Sequence, residues 1–388
     1  MAKKKPRAPT DKTPAAPPPG GAAGVLRAPA EVRLAGELER LAAADDRPRP
    51  AGWRLSPQAV RDFVCGNPEL GVEKKFVGDD ALVERAVVTL AGNRGLLLIG
   101  EPGTAKSMLS ELLAAAISGD STNTVQGTAG TTEDQIKYGW NYALLLAEGP
   151  SPKAMVEAPL HAGMRTGRVV RFEEITRCPP EIQDTLVSVL SDKVLLVPEL
   201  DGPERVLLAK PGFNVIATAN VRDRGVNEMS SALKRRFNFE TVLPIADLKL
   251  EVQLVRDQAA RLLAEAGVAV QTDAAPGEPG PDAVELLVTA FQDLRSGVTA
   301  EGTRVEGPAS VMSTAEAVSV ALSAGLDAAH FGGGRLTPRG VARHLASAAL
   351  KDDPEDAKKL RHYFETVVRE RAAKGGAGGA WAEFHAGL

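Results

Sequence analysis

The chain is poor in cysteine, histidine, tyrosine, tryptophan and long apolar runs. Its two cysteines in 388 residues, Cys65 and Cys178, form no CxxC pair. That excludes a disulfide scaffold and fits a reducing compartment. The five histidines show no HExxH and no His/Cys ligand spacing. His161 and His344 fall inside apolar patterns and read as packed or surface side chains. No stretch approaches the ~20 apolar residues of a membrane span. The basic start, Lys3, Lys4, Lys5 and Arg7, runs into Pro, Ala and Gly rather than the apolar core of a signal peptide. It reads as a solvated tail, and the expected location is the cytoplasm. A charge excess is missing too. A net charge of -4 gives no general pull toward nucleic acid or anionic membrane.

What is present fits a soluble globular protein: 44% hydrophobic and 25% charged residues. The length suggests one or two domains of about 100–200 residues. Residues 1–50 read as a disordered Pro/Ala-rich tail carrying a short helix over 31–44. Order begins near Trp53, and Ser56-Pro57 reads as a cap followed by proline at the first helical position. From Val77 the pattern alternates helices (79–91, 106–117) with short apolar strands (95–99, 169–172, 213–218, 241–243). That rhythm predicts a parallel sheet flanked by helices over 51–245. Beyond Pro244 strand signals fade. Helices are expected over 248–266, 282–294, 314–329 and 338–350, interrupted by a Pro/Gly linker at 272–280. The reading is an all-α domain over 246–350, then a charged helix at 354–373 and a flexible tail from 375 to 379 within 351–388.

Gly100-Glu101-Pro102-Gly103-Thr104-Ala105-Lys106-Ser107 lies between a buried strand and a helix, the context a phosphate loop requires. Backbone N–H groups and the helix N-terminus would face the phosphates. Lys106 would reach the β- and γ-phosphates, and the Ser107 hydroxyl would bind magnesium. Ala105 replaces a glycine of the general pattern, and its methyl is acceptable if its φ is negative. Further on, Glu173 and Glu174 emerge together at the end of a buried strand. Successive strand residues point to opposite faces, so the two take different tasks. Glu173 is assigned to the magnesium, through water, and Glu174 to polarising the attacking water. Asn220, ending the strand Asn214-Val215-Ile216-Ala217-Thr218-Ala219-Asn220, could donate to the γ-phosphate or serve as a turn former.

These three elements, in this order, resemble the AAA+ superfamily, and the MoxR-type branch fits best. The Ala105-Lys106-Ser107 ending looks like that branch, as does Glu174-Ile175-Thr176-Arg177-Cys178-Pro179-Pro180-Glu181-Ile182-Gln183, and the long stretch at about 125–168 before the acidic strand resembles its extra insert. The resemblance implies an α/β P-loop fold with a C-terminal all-α lid, ATP and Mg²⁺ as ligands, and a homo-oligomeric, hexameric ring. It further implies that Arg236, with Arg235 as runner-up, acts in trans on a neighbour's γ-phosphate. Thr337-Pro338-Arg339 resembles a lid motif whose arginine, Arg339, touches the nucleotide, and Phe76-Val77-Gly78 resembles the segment beside the adenine. The family usually has Asp where this chain has Glu173, and Arg171 within the strand is unusual and is expected to pair with a nearby acid.

The resemblance implies an ATPase that remodels or activates a protein partner, often one with a von Willebrand factor A-type domain. The alternatives are a nucleotide-gated scaffold with negligible hydrolysis, favoured by Glu173, or a nucleic-acid motor, disfavoured by the charge. Two of three tyrosines and one of three tryptophans fall in Lys137-Tyr138-Gly139-Trp140-Asn141-Tyr142. That segment reads either as a mobile gripping loop facing a pore or as a small local core.

Overall fold

A computed structural model describes residues 25–220, 227–271, 281–308, 312–349, 354–374 and 378–388. The basic cluster at residues 3–7, the linker 272–280 and residues 375–377 of the tail lie outside the described residues.

The chain opens with α1 (Ala30–Arg33) and α2 (Ala35–Ala44). The single helix expected over 31–44 is interrupted at Leu34, whose backbone leaves the helical region, and order begins well before Trp53, because Ala30, Leu38 and Leu41 are buried in the core with Phe63. In α3 (Pro57–Cys65) the Ser56 hydroxyl accepts from Ala59 N–H and Pro57 holds the first position, the signal read from the sequence. Asp79 caps α4 (Asp80–Ala91) in the same way. Next come β1 (Gly95–Gly100), α5 (Lys106–Ser118) and β2 (Thr124–Gln126). A hairpin of β3 (Tyr138–Trp140) and β4 (Met155–Glu157) carries α6 (Tyr142–Glu148) between its strands. After α7 (Pro159–Thr166) and β5 (Val169–Glu173), α8 (Pro180–Asp184) and α9 (Leu186–Asp192) lead to a second hairpin, β6 (Val194–Leu196) with β7 (Val206–Leu208). Then β8 (Asn214–Asn220), α10 (Ser231–Lys234) and β9 (Phe237–Val242) complete the α/β part.

The main sheet has the order β2-β5-β8-β1-β9, and every pairing is parallel. Alternation divides its side chains between two cores. Leu96, Leu98 and Ile216 pack with α3–α5 residues such as Phe63 and Leu113. Leu97, Phe172, Val215 and Ala217 pack on the other face with Leu186 and Leu190. Parallel pairing brings the C-terminal ends of β1, β5 and β8 to one edge, where ligands of open α/β sheets bind.

The helical part comprises α11 (Leu248–Glu265), α12 (Ala283–Ser296), α13 (Thr314–Phe331), α14 (Pro338–Ala349), α15 (Pro354–Tyr363), α16 (Arg369–Ala373) and α17 (Gly378–His385). A five-residue π segment, Phe364–Val368, joins α15 to α16, where one charged helix was expected. Gly378 and Gly379, read as tail, begin α17. Its Trp381 and Phe384 are buried with Phe291, Val320 and Tyr363, so the C-terminal helices share the lid's core. No helix among the described residues is long and apolar enough to cross a membrane.

Candidate active site

A cleft of about 480 Å³ opens at the C-terminal edge of the sheet, between the phosphate loop and the helical lid. Glu101 to Ser107, Glu174, Thr218 and Asn220 line it, with Val77, Leu243, Pro244, Ile245 and Leu254 as its apolar lining and Arg295, Ser313, Thr314 and Val318 contributed by the lid.

The loop's tight path depends on glycine. Gly103 has φ +75°, and a Cβ there would lie 2.3 Å from the Ser313 side chain. Ala105 overturns the expectation of a negative φ: it sits at +66°, in the left-handed region, because it must turn the loop into the first residue of α5. The Lys106 ammonium is buried beneath the loop and donates to the carbonyls of Gly100 (3.1 Å) and Glu101 (2.6 Å). Asn220 is level with Gly100 across the β1–β8 pair and lines the cleft.

Glu173 is 5% exposed, and both of its carboxylate oxygens are occupied. Its Oε2 accepts from Ser107 Oγ (2.7 Å) and Thr218 Oγ1 (2.8 Å). Its Oε1 accepts from Ser110 Oγ (2.6 Å) and Arg171 Nη2 (2.8 Å). Arg171 thus meets the acid expected of it. Burial pushes the carboxyl's pKa up. The Ser110 bond, the Arg171 charge and the Ser107 and Thr218 bonds outweigh that and hold it below the ordinary value. Glu173 is therefore an anion in the folded state at neutral pH.

Glu174, the next residue, turns away at φ +55°. Its backbone N–H donates to Thr218 Oγ1 (3.0 Å), and its carboxylate lies 2.7 Å from Arg177 Nε. The two acids diverge, as adjacent residues at a strand end must.

Three other arginines are placed differently from one another. Arg236 donates to Ser191 Oγ (2.8 Å) and the Ala232 carbonyl (2.7 Å), Arg235 is exposed, and neither lines the cleft. Arg339 does not line it either, contrary to the expectation of contact with nucleotide in its own chain. The first turn of α14 packs instead against the C-terminus, with the Arg339 carbonyl beside Gly387. The lid cation in the cleft is Arg295, held by Glu251 (2.8 Å) and the carbonyls of Met312 (3.1 Å) and Ile245 (3.2 Å).

Sequence reasoning missed Ser110, Thr218 and Arg295. A signal existed for the first two. Ser110 is three residues past Ser107 on one helix face, and Thr218 shares a strand face with Asn220. In the insert, Tyr138 packs edge-on against Trp140 and His161 and donates to Glu199 (2.9 Å), which makes a local core. Tyr142 and Leu146 on α6 stand outside it, 71% and 88% exposed.

The parallel sheet, the phosphate loop at its edge and the helical lid define a P-loop NTPase of the AAA+ class. The comparisons place it more narrowly. A family model described as "AAA domain (dynein-related subfamily)" matches residues 95–237, and one described as "YehL-like AAA+ ATPase C-terminal domain" matches residues 249–385. The Escherichia coli (strain K12) protein YehL is 53% identical over 343 residues, spanning 88% of this chain and 92% of YehL. A Staphylococcus haemolyticus protein is 30% identical over 170 residues, 43% of this chain and 62% of its own length. Among solved structures, ADP-bound NtrX from Brucella abortus aligns with a TM-score of 0.47 and 14% identity, over 76% of this chain and 60% of NtrX. The chain belongs to the YehL-like, MoxR-type AAA+ ATPases.

Proposed function

We propose that this chain is a magnesium-dependent ATP hydrolase that works as a hexameric ring and remodels or activates a protein partner. The observation that carries the enzymatic part is the Ser107–Glu173 hydrogen bond of 2.7 Å beneath the phosphate loop, with Glu174 diverging toward the cleft. A hydroxyl and an ionised carboxylate are hard oxygen donors, the set magnesium takes from proteins when phosphates and water complete its shell. Among the described residues no cluster of three His, Cys, Asp or Glu competes for a metal. Ser107 and Glu173 would hold the ion. Bound with the nucleotide, magnesium neutralises charge on the β- and γ-phosphates. Lys106 supplies a further cation there, Asn220 an amide donor, and Glu174 orients and polarises the attacking water. Val77 and the apolar lining take the adenine.

The ring reading rests on Arg236 and Arg235, which lie outside their own chain's cleft, as trans-acting arginines must. The remodelling reading rests on exposed apolar side chains. Tyr142 and Leu146 stand on α6, and Leu196 and Leu208 on the second hairpin. A von Willebrand factor A-type protein is the partner class the family resemblance implies. The cytoplasm is the proposed location. One observation favours the nucleotide-gated scaffold as a second reading: Arg177 engages the Glu174 carboxylate that hydrolysis would need free.

Hydrolysis assays and nucleotide titrations on three proteins test this. Wild type should turn over MgATP, Lys106→Ala should lose nucleotide affinity, and Glu174→Gln should bind ATP but stop turnover. Binding with no turnover in wild type would establish the scaffold instead. A Glu174→Gln protein as fast as wild type would remove Glu174 from the chemistry.

A further inference from the structure

A charged side chain in a buried five-residue strand needs a reason, because desolvating a guanidinium is costly unless it is paired. Arg171 has two neighbourhoods that supply one. Its Nε donates to Ser110 Oγ (2.9 Å), Nη1 to the Ser121 carbonyl (2.9 Å), and Nη2 to the Ser107 carbonyl (3.1 Å) and Glu173 Oε1 (2.8 Å). The guanidinium is therefore fixed by backbone and helix, independently of Glu173. Glu173 is then gripped from two sides. Arg171 and Ser110 hold Oε1, while Ser107 and Thr218 hold Oε2.

We propose that Arg171 is a positioning residue for the metal-holding carboxylate: by fixing Oε1 it aims Oε2 of Glu173 at Ser107. The inference rests on the assignment of Ser107 and Glu173 to the metal. Glutamate reaches both grips because of its extra methylene. Aspartate would reach one. With Arg171 present, a shorter acid would be drawn toward the guanidinium and away from Ser107. With Arg171 removed, a glutamate would lose its fixed rotamer, whereas an aspartate would be left to Ser107 and Thr218. The length of the acid and the presence of the arginine are matched.

The alternatives give different patterns. If Arg171 were only a nearby positive charge, its removal would tighten metal binding by the same factor whether residue 173 is Glu or Asp. If it were only glue between β5 and α5, its removal would lower the melting temperature and leave the metal affinity of the folded protein alone.

The test is a double-mutant cycle on the full chain: wild type, Arg171→Met, Glu173→Asp, and both together. Binding of Mn²⁺ to the ADP-loaded protein is read by electron paramagnetic resonance, alongside metal-free ADP affinity and thermal melting. Each single change should weaken Mn²⁺ by about tenfold or more, the usual scale for an outer-shell partner of a metal ligand. The double variant should recover most of that loss, a non-additive result. Metal-free ADP affinity reports any change in the phosphate loop itself, and the Mn²⁺ losses are to exceed it. Losses that simply add, or equal tightening in both backgrounds, overturn the proposal. If Arg171→Met does not fold, Arg171→Lys keeps the charge without the fork and should still weaken Mn²⁺, and unchanged Mn²⁺ affinity there also overturns it. Should wild type bind ADP but take no Mn²⁺, the metal assignment itself fails, an outcome visible before any variant is made.

Discussion

Ala105 occupies a conformation in which an L side chain costs about 1–2 kcal/mol. The turn from phosphate loop to helix places it there: Ala105 is the N-cap of α5, which Lys106 begins. Glycine would adopt this φ without strain but would enter from a more flexible unfolded chain. The two effects oppose, and the strain is the larger. Ala105→Gly should stabilise the protein by roughly 0.5–1 kcal/mol, measured as a higher urea midpoint at unchanged slope. A lower midpoint would mean that the alanine methyl makes packing contacts worth more than the strain. At this same scale the sequence was legible in residue type and blind to conformation. The Lys106-Ser107 pair and the acidic pair could be named from the string, but the sign of φ at Ala105 and Glu174 could not.

At the scale of elements, regular periodicity was readable and long-range closure was not. The strand 95–99 announced itself through an apolar run, and the helix after Ser56-Pro57 through a capped start. The three-residue strands β3, β4, β6 and β7 are too short to carry a period, and their pairing is fixed by each other. The tail was misread for a related reason: Gly378 and Gly379 have poor helix propensity, yet burial of Trp381 and Phe384 in the lid core overrides it. What ties this C-terminal unit down is polar. Arg371 bonds Asp293 (2.7 Å) and Glu301 (2.6 Å) and lies 4.8 Å from the Trp381 ring centroid, while Tyr363 donates to Asp293 (2.7 Å). Burial is the larger influence on Asp293 and pushes its carboxyl above the ordinary value despite the Arg371 partner. Removing the arginine leaves that acid buried with only a phenol. Arg371→Met should therefore destabilise the lid by about 3–5 kcal/mol, and Asp293→Asn in the same chain should return part of the loss. Denaturant unfolding of the four proteins decides it. Equal losses with and without Asp293→Asn would show that the ion pair is not the relevant contact.

At the scale of the whole molecule, the cleft of one chain is lined by Lys106, Ser107, Glu174, Asn220 and the lid's Arg295, with the buried Glu173 bonded to Ser107. Arg295 spends its donors on Glu251 and two carbonyls, which makes it a brace between hinge and lid more than a free cation for phosphate. Arg236 stands where β9 begins, half-exposed and outside that cleft. A trans-acting arginine contributes about 10³–10⁵ in rate in other phosphoryl-transfer systems, so its removal should be conspicuous. Arg236→Ala should bind ATP normally and hydrolyse it poorly. Mixing it with Lys106→Ala separates trans from cis action. One subunit brings a dead pocket with an intact finger, and the other brings the reverse. In a mixed ring some interfaces pair a working pocket with a working finger, and part of the activity should return. The bonds to Ser191 and Ala232 must break for Arg236 to reach a neighbour, whereas Arg235 is already exposed. If mixed rings form by light scattering but no activity returns, Arg236 acts in cis or the finger is Arg235, and the same mixing with Arg235→Ala chooses between them. If no oligomer forms with ATP analogue and magnesium, the ring reading falls and the monomeric nucleotide-gated scaffold takes its place.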